Sequence, residues 1–203
     1  LPNPVNDADL VADAARKAGF QVVTVKKDLG LQAFRQSLRD FEVVASGAEM
    51  AMVYYAGHGI SSNGINYLIP VDANLPDSSE LEGGAVSLSY VMARLAGAQR
   101  RMVLLDACRD NPLRKVWGND LERPGLGETI APANSVILFA TKPGSFTPDG
   151  EGANSLFALA LAKYLPQPGL PLNDLGQKVA DDVFTASEKF QTPYSSIGPG
   201  LGE

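Results

Sequence analysis

The sequence predicts an α/β fold: a three-layer sandwich, with a mostly parallel sheet and helices on both faces. Three observations predict it. Short apolar runs of strand length recur along the chain, segments of helical spacing lie between them, and no linker, internal repeat or low-complexity tract divides the 203 residues. Strands alternating with helices call for a parallel sheet. Right-handed crossovers then put helices on both of its faces. A chain of this length fits one domain and can bury a substantial core.

The elements follow in order. "PNPVNDADLVADAARKAGF" reads as a loop and a helix, with Asn6 or Asp7 as N-cap, Leu10, Val11, Ala14 and Ala18 on one face, and Gly19 as the stop. Phe20–Val25, "FQVVTV", is a short apolar strand. Helical spacing returns from Leu31 to about Ala45, with Phe34, Leu38 and Phe41 on one side. "MAMVYYA", Met50–Ala56, is a continuous apolar run, as a strand covered on both faces requires. Ile65–Val71 is a further strand, and Ser87 caps a helix reaching Ala96. Arg101–Ala107, "RMVLLDA", and Ser135–Thr141, "SVILFAT", are again strands, separated by a Pro/Gly-rich loop. Asn154 or Ser155 caps a helix to Leu165, and Leu172–Phe190 gives the last helix.

Composition narrows the function. The chain is 45% apolar and 20% charged, ordinary for a soluble globular protein. No apolar run approaches the ~18–20 residues of a membrane helix, so no membrane contact is expected of this segment. A net charge of −6 without a basic stripe argues against nucleic acid. One cysteine and one histidine exclude an internal disulfide and a Cys/His zinc site within the chain. No metal and no cofactor are expected. The chain starts at Leu1 without methionine or leader, so it is expected to be a fragment whose address is lost. The compartment is not readable, with the cytoplasm favoured.

The single histidine, His58, and the single cysteine, Cys108, stand fifty positions apart, each just after a predicted strand. In parallel sheets ligands sit beyond the carboxyl ends of the strands, so one rim can hold both residues. Read singly, each is more often structural, since cysteine is a small buried hydrophobe. Their surroundings point the other way. Arg109 follows Cys108, and a cation favours thiolate. Gly57 and Gly59 flank His58 and allow close approach of backbone. A cysteine nucleophile with a histidine base fits this pattern.

"YYAGHG" followed by "LLDACRDNP" resembles the caspase–metacaspase–paracaspase superfamily in its bacterial form. "LPNPVNDA", "NYLIPVDA", "FATKPGS" and "DGEGANSLF" are similar to further stations of that domain, in the same order and over nearly the whole chain. The resemblance implies that Cys108 attacks a peptide carbonyl and that His58 moves the protons. It also implies an oxyanion hole made by the backbone N–H groups of Gly59 and Cys108, each such donor worth roughly 2.7–4 kcal/mol. The substrate backbone is expected to lie extended along Ala140, Thr141 and the residues up to Gly144, as an added strand.

The resemblance also implies a pocket of altered charge. Where caspases carry glutamine two positions before the nucleophile, this chain has Asp106; where their signature has glycine two positions after it, this chain has Asp110. Asp149 aligns with the arginine that grips a substrate aspartate in caspases, and Asp7 falls where metacaspases and paracaspases carry an acidic pocket residue. The bland alternatives are a helix cap for Asp7 and a turn for Asp149. Carboxylates at these positions repel a substrate carboxylate and favour a guanidinium, so protein or peptide substrates with basic residues are the expected partners.

Two departures accompany the match. The family's first strand, before "LPNP", and its last, after "PYSSIGPGLGE", are absent from the chain; a separate chain or segment is expected to supply the first. The loop from Asp110 to Pro132 carries Arg114, Lys115 and Arg123, which match the expected pocket and are candidates for self-cleavage. No calcium loop pattern occurs, and Asp181–Asp182 reads as the wet face of a helix. The alternative function is a catalytically silent caspase-like interaction domain, against which both Cys108 and His58 speak. A nucleotide-binding reading fails because "AGHGISSNG" opens no helix.

Overall fold

The computed structural model describes residues 3–107, 125–143 and 152–201. Seven strands are found among them: β1 (Met50–Ala56), β2 (Gly59–Ser62), β3 (Ile65–Leu68), β4 (Val86–Ser87), β5 (Arg100–Asp106), β6 (Ser135–Phe139) and β7 (Tyr194–Ile197). The helices are α1 (Pro4–Lys17), α2 (Leu31–Ala45), the single turn α3 (Leu81–Gly84), α4 (Leu88–Arg94), α5 (Leu156–Tyr164) and α6 (Leu172–Ala186). The main sheet runs β1-β5-β6-β7, with β1, β5 and β6 parallel and β7 antiparallel to β6. The expected three-layer α/β sandwich is what forms.

Alternation along the strands decides the layers. Met102 and Leu104 of β5, with Val136 and Leu138 of β6, pack against Val11 of α1, Phe157 and Leu161 of α5, and Val179 of α6. Val103 and Leu105, with Ile137 and Phe139, face Leu38 of α2 and Val91 and Leu95 of α4. β5 is therefore sealed on both faces, and its side chains from Met102 to Asp106 are all buried. A second sheet, β2-β3-β4, is an antiparallel meander that follows β1 directly. Asn66 of β3 clamps the returning chain: its amide donates to Gly127 O and Thr129 Oγ1 and accepts from Gly127 N.

Several sequence expectations need correction. Helix α1 starts earlier than Asn6 or Asp7: its N-cap is Asn3, with Pro4 in the first turn, where its fixed φ and missing N–H cost nothing. Phe20–Val25 is not a strand, because no strand lies beside it among the described residues to share ladder hydrogen bonds. β1 is covered on both faces, Met52 and Tyr54 on one and Val53 and Tyr55 on the other, yet it stays half-buried as an edge strand of the described sheet. β2, β4 and β7 were not expected at all. The Ser87 and Ser155 caps are present, each hydroxyl accepting an N–H three residues on. No helix among the described residues is long and apolar enough to cross a membrane.

Candidate active site

β1 and β5 run side by side in parallel, and their register sets Ala56 opposite Asp106. The ladder continues one step further, with Gly57 N donating to Asp106 O at 3.2 Å. Each strand then leaves the sheet at the same level, β1 toward His58 and β5 toward Ala107. Cys108 lies outside the described residues. The two exits are close: a Cβ built on Gly59 would stand 2.9 Å from Ala107 O and 3.1 Å from Ala107 Cβ. Only glycine fits at that position.

The histidine loop is held from below. Tyr55 donates its hydroxyl to His58 O at 2.9 Å and is also placed 3.0 Å from Ile69 O. Ile69 N donates to His58 O at 3.0 Å. Burial pushes the Tyr55 phenol well above its ordinary range, so it stays a neutral donor. The Ile69–His58 bond flanks the Gly59–Leu68 pair, which makes Gly59 a non-hydrogen-bonded position of the β2–β3 ladder. Its N–H consequently points away from β3, to the side where Ser61 N meets Gly125 O.

On the other face of β5 lies a buried acidic group. Asp106 is 3% exposed and Asp7 is fully buried. Tyr54 donates its hydroxyl to Asp106 Oδ2 at 3.0 Å, and Ser155 Oγ donates to the same oxygen. Asp7 Oδ1 accepts from Ser155 N and from Asn154 Nδ2, both at 2.9 Å. Asp7 thus caps no turn of its own helix; it reaches from α1 to the first residue before α5. The structure brings Asp7 and Asp106 together through Ser155.

Ala140 continues β6 toward the same rim. Its N–H donates to Leu105 O at 2.9 Å, and its carbonyl accepts from the buried Gln191 Nε2 at 2.7 Å. Its backbone groups are therefore already engaged within the fold. Thr141 is 1% exposed, with its hydroxyl unpartnered among the described residues. Asp149 and the candidate cleavage residues Arg114, Lys115 and Arg123 lie outside the described residues. No group of three metal-ligating side chains occurs among the described residues, and Asp182 is paired with Lys163 at 2.6 Å.

Tyr54, Asn154, Ser155 and Gln191 were not singled out by the sequence as candidate site residues, although they hydrogen-bond to Asp106, Asp7 or Ala140. Ser155 gave a signal, but only as a helix cap; its partners lie 49 and 148 positions away. Tyr54 was read as strand, and the alternation that turns it to the Asp106 face could have marked it.

Comparison with known proteins gives the family. The sequence profile of the caspase domain matches residues 1–198. The chain is also similar to the Mucosa-associated lymphoid tissue lymphoma translocation protein 1 of Homo sapiens, 27% identical over 149 residues, which is 71% of this chain. The chain spans 17% of that protein's length. With the profile covering nearly every residue and the two-faced sheet in place, the chain belongs to the caspase domain family.

Proposed function

We propose that this domain is a cysteine endopeptidase that cuts peptide bonds after arginine, and more slowly after lysine, using Cys108 and His58. The observation that carries the specificity is the pair of buried carboxylates, Asp7 and Asp106, joined through Ser155 at the end of the strand that leads into Cys108. A substrate carboxylate beside them would bury like charges; a guanidinium can form paired, charge-assisted bonds.

In the reaction, the Cys108 thiolate adds to the carbonyl carbon, and the oxygen takes the negative charge. The Gly59 N–H, turned away from β3, supports the reading that it stabilises this oxyanion together with the Cys108 N–H. The C–N bond breaks as the His58 imidazolium gives its proton to the departing amine. Water then adds to the thioester, His58 taking one of its protons, and the C–S bond breaks to release the acid and restore the thiolate.

Fluorogenic peptides ending in Arg, Lys or Asp test both parts. Turnover is expected for Arg over Lys and none for Asp, with Cys108→Ala and His58→Ala each lowering kcat by about 1,000-fold or more. Asp-selective cleavage refutes the pocket, and undiminished activity in Cys108→Ala refutes the mechanism.

A further inference from the structure

The geometry points to Ser155 as the positioning residue that makes the acidic pocket selective for a guanidinium over an ammonium. The inference rests on the basic-residue specificity proposed above and deepens it.

Ser155 is 6% exposed and sits between the two carboxylates. As N-cap of α5 its oxygen accepts from Ala158 N at 2.9 Å. That acceptor role fixes the hydroxyl, and its one proton goes to Asp106 Oδ2. Its backbone N–H goes to Asp7 Oδ1. One residue thus supplies a donor to each carboxylate, and each is gripped at one oxygen by a second donor as well, Tyr54 for Asp106 and Asn154 for Asp7. A carboxylate gripped at one oxygen by two donors cannot turn freely, so its plane is set. The positive end of the α5 dipole also lies at this point and offsets part of the cost of holding two carboxylates together.

The two basic side chains differ in what they need. A guanidinium is a planar fork whose paired bonds form only to a carboxylate in the right plane, whereas an ammonium is a point charge with freely rotating donors. Fixing the planes therefore benefits arginine more than lysine. The effect is on substrate positioning, with no contact to the reacting sulfur required.

The test is the Arg:Lys ratio of kcat/KM, measured with matched peptides on wild type, Ser155→Ala, Ser155→Thr and Tyr54→Phe. Ser155→Ala keeps the backbone donor to Asp7 and removes the hydroxyl. It is expected to lower the ratio about tenfold, mainly through a higher KM for Arg peptides, which corresponds to roughly one charge-assisted hydrogen bond. Ser155→Thr is expected to restore the ratio. Loss of the helix cap alone would lower the melting temperature and move both peptides together. A folded Ser155→Ala with the wild-type ratio overturns the inference while leaving the proposed specificity standing. Should Ser155→Ala fail to fold, Tyr54→Phe, which removes the other donor to the same oxygen, decides by the same ratio. A wild type without preference for basic residues overturns the specificity reading and this inference with it.

Discussion

Gly59 meets Ala107 at a distance that leaves no volume for a methyl group, and this contact joins the histidine side of the rim to the cysteine side. The Leu126 side-chain end, 2.8 Å from the same point, can shift, but the Ala107 backbone carbonyl at 2.9 Å cannot yield cheaply. Gly59→Ala is expected to cost about 1–3 kcal/mol of stability by overpacking. It should also lower peptide turnover by about 100-fold or more, since the same N–H is the proposed oxyanion donor. Urea denaturation and steady-state turnover measure the two effects; wild-type turnover in this variant would show that the Gly59–Ala107 contact is not needed. His58 and Cys108 were legible as candidates because each type occurs once and each follows a strand. Ser155 was not legible beyond its cap, because its second role depends on carboxylates brought from α1 and β5.

Tyr55 ties β1 to the hairpin of β2 and β3, its hydroxyl lying between His58 O and Ile69 O. The linkage sign follows from its raised pKa. The folded state prefers the protonated phenol, so its contribution is full below the ordinary value of 10.0 and is lost as pH rises toward the folded value. Stability is therefore expected to fall above pH ~10, and less steeply in Tyr55→Phe, as checked by denaturation at pH 8 to 11. An unchanged alkaline slope would remove Tyr55 from this role. Elements with strong local signals were readable: the paired apolar runs of β5 and β6, and the serines before α4 and α5. Phe20–Val25 has the same composition as a strand but lacks a neighbour among the described residues, and strand formation depends on a neighbour. β7 is short, only four residues, and its polar Ser195 and Ser196 gave no apolar pattern.

Across the whole molecule, the net charge of −6 reinforces the proposed acidic pocket. Peptides with basic residues should be drawn toward it from a distance set by the Debye length, about 10 Å at 0.1 M salt. Raising ionic strength from about 0.02 to 0.5 M is expected to lower kcat/KM for Arg peptides several-fold, with kcat nearly constant. A salt-independent kcat/KM would confine the electrostatics to the pocket itself. By itself the sequence determined the α/β sandwich and marked the single histidine and single cysteine as candidates, because periodicity and residue type are local properties. Only the tertiary structure decided that Asp7, Asp106 and Ser155 form one group and that Gly59 abuts Ala107. Those facts arise from strand register and helix packing between segments up to 148 positions apart, where no local pattern can carry them.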